Sequence, residues 1–206
     1  MENTLNKKEL DDVFIDVRKS YRLLYSYQRR VMDLVQFIEE HFDSKVRNAY
    51  HFIGRNNQSV LPSQNSWDYL LFYNCPYSML ITDANNVALE LAIIIVSDTG
   101  LFDEYPTTSS KNQSKINEFS PVEISRTQIH LILKKDGSAW HDYIEIMFKG
   151  DSEQEYIKKT DISDLLIGKK YNLSDFMNEE NTLMQLKNFE DFCIKNGITL
   201  HPKKTD

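Results

Sequence analysis

The chain has 206 residues, of which 41% are hydrophobic and 12% aromatic, so it can form a folded core and does not have the composition of a disordered chain. Its 31 acidic and 24 basic side chains give a formal charge of −7, which disfavours a sequence-independent grip on nucleic-acid phosphates. The longest apolar run, Leu91 to Val96, falls well short of the roughly 20 residues that a membrane-spanning helix needs.

The N-terminus and the cysteines indicate the compartment. The N-terminal stretch MENTLNKKELDD is polar and charged, unlike a signal peptide. Cys75 and Cys193 lie far apart and match no zinc-binding spacing, which is typical of free thiols in a reducing compartment. We therefore expect a cytoplasmic protein that does not associate with a membrane.

A long amphipathic helix is predicted from about residue 6 to residue 42. No glycine or proline interrupts this stretch, and its apolar residues alternate steps of four and three, the heptad spacing of a coiled coil. The stripe consists of Leu10, Phe14, Val17, Tyr21, Leu24, Gln28, Val31, Val35, Ile38 and Phe42. Such a helix would be about 55 Å long, more than a compact domain of this size accommodates, so it either kinks or extends to a second protein.

The polar residues of this helix have two interpretations. One side of the helix carries Arg18, Arg22 and Arg29, with tyrosines between them. Positive charge combined with aromatic rings for base stacking is typical of a nucleic-acid-binding surface. In an acidic protein the same arginines more readily pair with carboxylates of the chain or of a partner subunit, and we prefer this interpretation. Gln28 lies inside the apolar stripe, where a polar residue can fix register and oligomeric state.

An aromatic-rich segment, WDYLLFYNCPY, begins at Trp67 after a polar loop. Ser66 can cap a short helix at this point, and Pro76 would end it. A helix that is apolar nearly all round must be covered on both sides, so we expect it in the core. The alternative is an interface in which Trp67 and Tyr69 are hot spots.

Two strands are predicted after this segment, YSMLITD and VALELAIIIVSD, joined by a turn at Asn85-Asn86. The second strand runs into VSDTG, residues 96–100, which resembles the active-site turn of retroviral-type aspartic proteases. That resemblance would make Asp98 catalytic, one of two aspartates that activate water in a dimer. Leu101 stands where that family has a small residue, and a polar loop replaces its glycine-rich flap. We therefore prefer a strand that ends in a turn, with Asp98 accepting hydrogen bonds from backbone N–H groups.

A hairpin is predicted across ISRTQIHLILKKDGSAWHDYIEIMFKG, with Asp136-Gly137 at its tip. This register gives one apolar face and one polar face. On the polar face His130 is diagonal to His141, with Glu145 one step further, within reach of a shared divalent metal ion. The alternative is an ordinary polar sheet face, or histidines buried under the first helix.

A final helix is predicted from about residue 180 to residue 196, with Leu183, Leu186, Phe189 and Phe192 or Cys193 as its apolar stripe and Gly197 after its end. Residues 103–121 are predicted to be a lid, a binding loop or a disordered segment. The order of elements predicts one α+β domain over residues 1–206. In it the long N-terminal helix and the C-terminal helix pack on an antiparallel sheet at about residues 77–149.

No phosphate-binding loop, dinucleotide-binding glycine motif, nucleophile elbow or Cys-x-x-Cys pair occurs, so the sequence indicates neither an enzyme class nor a cofactor. The leading hypothesis is a non-enzymatic interaction module, an accessory, regulatory or immunity-type factor that has a protein partner or self-associates through the first helix. Its expected surface comprises Arg18, Arg22, Gln28, Arg29, Trp67 and Tyr69. The alternatives are a metal-dependent hydrolase using His130, His141 and Glu145, and a nucleic-acid-associated protein using the helix arginines.

Overall fold

A computed structural model describes residues 6–49, 74–101, 120–135, 154–159 and 165–201. Its main elements, in chain order, are helix α1 (Lys7–His41), strands β1 (Val46–Ala49), β2 (Asn74–Thr82), β3 (Ala88–Val96), β4 (Gln128–Lys135), β5 (Glu155–Lys159) and β6 (Leu165–Asn172), and helix α2 (Glu179–Lys195). The predicted α+β fold, with a long helix at the N-terminus, a helix at the C-terminus and an antiparallel sheet, is confirmed.

By its internal contacts the chain divides into two compact units, residues 1–37 and residues 38–206. In the first unit α1 begins with reciprocal capping. The Asn6 side-chain oxygen accepts hydrogen bonds from the backbone N–H groups of Lys8 (3.0 Å) and Glu9 (3.1 Å), and the Glu9 carboxylate accepts one from the Asn6 N–H (2.8 Å). These bonds satisfy N–H groups that have no partner inside the helix, which explains why it begins where the sequence predicts.

The second unit contains a six-stranded sheet in the order β1-β2-β3-β4-β6-β5, in which each neighbouring pair is antiparallel. The predicted turn between β2 and β3 is confirmed. Asn86 has a positive φ of 58°, and the Asp83 carboxylate accepts hydrogen bonds from the N–H groups of Asn85 and Val87, both at 2.8 Å. This local turn fixes the long register of β2 on β3.

The sheet extends beyond the predicted region of 77–149, because β5 and β6 belong to it. The predicted hairpin gave β4 a partner strand after Gly137. That pairing is wrong for residues 128–134, since β3 and β6 occupy both edges of β4 there. The rest of the predicted hairpin, the segment after Trp67 up to residue 73 and nearly all of the predicted loop at 103–121 lie outside the described residues.

Helix α2 packs on one face of the sheet, and we call this the helix face. The helix face consists of alternate strand residues: Cys75, Tyr77, Met79 and Ile81 of β2, Leu89, Leu91, Ile93 and Ile95 of β3, Ile129, Leu131 and Leu133 of β4, and Ile167, Lys169 and Tyr171 of β6. Helix α2 buries Leu186, Phe189, Phe192 and Cys193, as predicted, whereas Leu183 is 38% exposed and Thr182 is buried instead. The end of α1 joins this layer, since His41 Nε2 lies 2.6 Å from Glu190 Oε1.

Replacing Leu186 with alanine tests this packing. Leu186 is 0% exposed, so Leu186→Ala should lower the free energy of unfolding by about 2–5 kcal/mol through lost contacts and a residual cavity. Leu183→Ala is the matched control on the same helix and should cost less than about 1 kcal/mol. Urea denaturation followed by circular dichroism measures both, and equal losses would contradict the packing described here.

Candidate functional site

The face of the sheet opposite the helix face, which we call the second face, carries a row of polar side chains on three neighbouring strands. The row comprises Glu90 of β3, Gln128, His130 and Lys134 of β4, and Lys170 of β6. All except Glu90 are less than 10% exposed. Burying polar groups is unfavourable unless they are paired, so their internal partners decide what this face can do.

His130 is at the centre of the polar row and is 2% exposed. Its Nε2 lies 2.9 Å from Oε1 of Gln128, so Nε2 carries the proton in this arrangement, and Nδ1 is buried with no hydrogen-bond partner among the described residues. Burial lowers the pKa of His130 from 6.5 to about 3, and Lys170, directly opposite on β6, adds electrostatic repulsion. The imidazole is therefore neutral at physiological pH and holds the Gln128 side chain in place.

Lys134 and Glu90 lie directly opposite each other on β4 and β3. Lys134 Nζ is 3.5 Å from Glu90 Oε2, and the side chains are 9% and 23% exposed. Each charge offsets the cost of removing the other from water, although such a pair contributes little net stability. The pair lies at the other end of β4 from Gln128.

A pocket of about 270 Å³ lies where β4 begins and β6 ends, with Gln128 opposite Asn172. Among the described residues, its charged lining residues are Arg126, Lys169, Lys170 and Asp175. Lys169 and Lys170 are neighbours on β6, so their side chains lie on opposite faces of the sheet. The phenol of Tyr171 and five carboxamide side chains, from Gln128, Gln154, Asn172, Gln185 and Asn188, complete the lining. The described lining of the pocket is therefore polar.

Lys169 and Tyr171 are held in position on the helix face. Lys169 Nζ lies 2.8 Å from Glu155 Oε1 on β5, 5.8 Å from the ring centroid of Tyr171 and 5.7 Å from that of Phe192. The Tyr171 hydroxyl donates a hydrogen bond to Asn188 Oδ1 at 3.2 Å. Burial raises the pKa of Tyr171, and the negative charges of the Cys193 thiolate and the Glu155 carboxylate would raise it further, so the phenol keeps its proton. These contacts fix the lining in one arrangement.

The first unit presents a surface of a different kind. The first five members of the heptad stripe are at least 40% exposed: Leu10, Phe14, Val17, Tyr21 and Leu24. Of the predicted interaction residues, Arg18, Arg22 and Arg29 are exposed and Gln28 is half-buried. Trp67 and Tyr69 lie outside the described residues. Exposed apolar groups and arginines thus share this helix.

The other sequence-based candidates are only partly described. His141 and Glu145 lie outside the described residues, so the metal site that they would form with His130 stays a prediction. Within the described ranges, no three histidine, cysteine or acidic side chains lie close enough to hold a metal ion together. The backbone-capping interpretation of Asp98 is confirmed, since its Oδ1 accepts a hydrogen bond from the Gly100 N–H at 2.8 Å.

The pocket residues of β6 carry no recognisable signal in the sequence. LLIGKKYN, residues 165–172, is buried on both faces and therefore lacks the alternation that marks a half-exposed strand. The adjacent residues Lys169 and Lys170 did not indicate a site either, because a pair of neighbouring lysines is usually exposed to solvent. In the part of the chain that the structure describes, no helix has the length and apolar character needed to span a membrane.

A family model described as PM0109 matches residues 7–198. The chain belongs to the PM0109 family. A curated protein of Pasteurella multocida (strain Pm70), named "Uncharacterized protein PM0109", is 39% identical over 51 residues, which is 25% of this chain and 24% of that protein. The match thus spans about a quarter of the curated relative. No solved structure matches the chain. The range matched by the PM0109 model includes α1, all six strands and α2, and therefore both surfaces described above.

The buried state of His130 is tested by the pH dependence of stability. As the pH falls below 6.5, the unfolded chain binds a proton at this histidine and the folded chain does not until about pH 3, so unfolding becomes easier. His130 should contribute up to about 1.4 kcal/mol of lost stability per pH unit in that window. His130→Gln should remove this contribution. Urea denaturation of both proteins at several values between pH 5 and pH 7.5 compares the slopes, and parallel slopes would show that His130 titrates normally.

Proposed function

We propose that this member of the PM0109 family is a non-enzymatic interaction module that self-associates through the first part of α1. The exposed stripe from Leu10 to Leu24 supports the proposal, because five apolar side chains at coiled-coil spacing lie at the surface. Exposed apolar surface of this kind is unfavourable in water and becomes stabilising when a second helix covers it. The class of function that fits is an accessory, regulatory or immunity-type factor.

Charge complementarity favours a second copy of the chain as the occupant. Asp11 directly follows Leu10 and Arg18 directly follows Val17, so both flank the stripe on the same side. In an antiparallel pair, Leu10 packs in a layer with Tyr21 of the second copy, and Phe14 packs in the next layer with Val17 of that copy. Asp11 of each copy then lies beside Arg18 of the other.

Arg18 has no acidic residue three or four positions away in its own helix, where Phe14, Ile15, Tyr21 and Arg22 stand. An ion pair within the helix therefore does not compete with a pair between copies. The proposal includes a cytoplasmic location, which is supported by the two free and buried cysteines, Cys75 and Cys193.

Two leucines test self-association directly. Leu10 belongs to the stripe and is 40% exposed, whereas Leu23 lies outside the stripe and is 72% exposed. Leu10→Asp should raise the dimer dissociation constant by at least about tenfold, because a carboxylate would enter the layer that Leu10 forms with Tyr21 of the second copy. Leu23→Asp introduces the same charge outside the stripe and should leave the constant unchanged. Sedimentation equilibrium measures both variants, and a wild-type protein that stays monomeric at high concentration would refute the proposal.

Charge reversal tests the orientation of the two helices. In the antiparallel arrangement, Asp11→Arg or Arg18→Asp alone sets like charges against each other at two places in each dimer. Each single variant should weaken association by about threefold to tenfold at low salt, since exposed ion pairs contribute about 0.2–1 kcal/mol each. The double variant should recover the wild-type dissociation constant. Additive losses in the double variant, measured in the same sedimentation experiment, would contradict the antiparallel arrangement.

A further inference from the structure

The middle of α1, from residue 17 to residue 32, concentrates positive charge along the helix. It contains no acidic residue and five basic ones: Arg18, Lys19, Arg22, Arg29 and Arg30. The nearest acidic residues along the chain are Asp16 before this stretch and Asp33 after it. The stretch therefore has a sign opposite to the formal charge of −7 of the whole chain.

The arginines of this stretch are exposed and are not engaged inside the protein. Lys19 forms an ion pair with Asp16 at 2.9 Å, so its charge is shared. In the part of the chain that the structure describes, none of the four arginines has a hydrogen-bond or ion-pair partner. Pairing with carboxylates of the chain itself, which an acidic sequence favours, is thus not observed there. The guanidinium groups are available to a partner molecule.

Two of these arginines share one face of α1 with an exposed tyrosine. Arg22, Tyr25 and Arg29 follow one another at spacings of three and four residues, which places them in a line along the helix. Tyr25 is 67% exposed. In the proposed antiparallel pair the layers are formed by stripe residues between Leu10 and Tyr21. The line of Arg22, Tyr25 and Arg29 therefore stays uncovered when the helices associate.

We propose that this face of α1 binds a single-stranded nucleic acid, a function beyond self-association. The planar fork of arginine can engage two oxygens of a phosphate group, and a tyrosine ring can stack on an unpaired base. From Arg22 to Arg29 the face spans about 10 Å of helix, the length of about three stacked nucleotides. A duplex hides the faces of its bases, so an exposed ring between arginines fits a single strand better.

The acidic character of the whole chain limits the strength of this binding without preventing it. At physiological ionic strength, charges on the surface that are more than about 8 Å apart are largely screened from each other. The arginines next to the strand therefore determine the contact. Two or three phosphate contacts are expected, which predicts a moderate affinity and a shallow dependence on salt.

Fluorescence anisotropy of the full-length protein with a labelled oligothymidylate of about 20 nucleotides tests the proposal. We expect binding that weakens about tenfold when the salt concentration is raised from about 50 to about 200 mM. A duplex of the same length should bind more weakly. Failure to bind the oligothymidylate, or equal or tighter binding of the duplex, would overturn the proposal. Displacement of the oligothymidylate by polyglutamate at equal charge would also overturn it and would indicate an acidic protein partner.

Variants at the two arginines locate the binding face. Changing both Arg22→Gln and Arg29→Gln should weaken binding of the oligothymidylate by at least about tenfold, through the loss of two charge-assisted contacts. Lys45 and Arg47 are exposed and lie outside α1, so changing both to glutamine removes the same charge elsewhere. This control should bind as the wild type does. Equal losses in the two double variants would show that only the general charge attracts the strand, and would overturn the face.

Substitutions of Tyr25 separate stacking from charge. Tyr25→Ala should weaken binding by about fivefold or more, because a stacked base loses its aromatic partner. Tyr25→Phe keeps the ring and should bind as the wild type does. A phenylalanine variant as weak as the alanine variant would contradict the stacking role.

This proposal and self-association can fail separately. The Arg22→Gln, Arg29→Gln double variant should self-associate as the wild type does in sedimentation equilibrium, because neither residue belongs to the layers of the pair. Leu10→Asp leaves the arginines in place and should still bind the oligothymidylate. Loss of binding in Leu10→Asp equal to that of the double arginine variant would contradict the assignment to this face.

Discussion

The fold depends on strand β4 being hydrogen-bonded along both edges and buried on both faces. β3 pairs with one edge and β6 with the other over almost the full length of the strand. Seven of its eight residues are buried, and Lys135 at its end is the exception. Neighbouring strands therefore satisfy the backbone groups, and each side chain has to find its partner inside the protein.

This constraint explains the two kinds of polar contact on the second face. His130 cannot carry a charge at its buried position beside Lys170, so it is neutral and bonds to Gln128. Lys134 has a carboxylate directly opposite, on Glu90. At the Gln128 end of β4 the polar row reaches the pocket, where buried and exposed polar groups meet. The buried strand thus provides a rigid support for one side of the pocket.

The sequence predicted the elements that are defined by local signals. Helix α1 follows from an uninterrupted heptad pattern, helix α2 from its apolar stripe and Gly197, and the turn between β2 and β3 from the pair Asn85-Asn86. The pairing of β4 could not be predicted in this way. The Asp136-Gly137 signal favoured a neighbour close in sequence, whereas the observed neighbour β6 begins 30 residues after β4 ends, at Leu165.

The candidate site was predictable only in part, for the same reason. The stripe of α1 and the position of His130 on one face of its strand can be predicted from the sequence, because both follow from the periodicity of a single element. The pocket brings together residues between Arg126 and Asn188, from two strands, two loops, a 3-10 helix and an α-helix. The spacing of these residues along the chain does not predict that they line one pocket, because they come together only when β6 pairs with β4.

The position of β6 in the sheet has a consequence for the growing polypeptide. Gly168 lies so close to β4 that a Cβ atom there would approach Ile132 to 3.1 Å, which shows how closely these two strands fit. During synthesis, β4 emerges before β6 and can pair with β3, yet its other edge stays open until residue 172 has left the ribosome. That open edge belongs to QIHLILKK, an apolar strand of the kind that recruits strands from other chains. The interval between the synthesis of β4 and that of β6 is therefore a period in which the chain presents an unpaired strand edge to its surroundings.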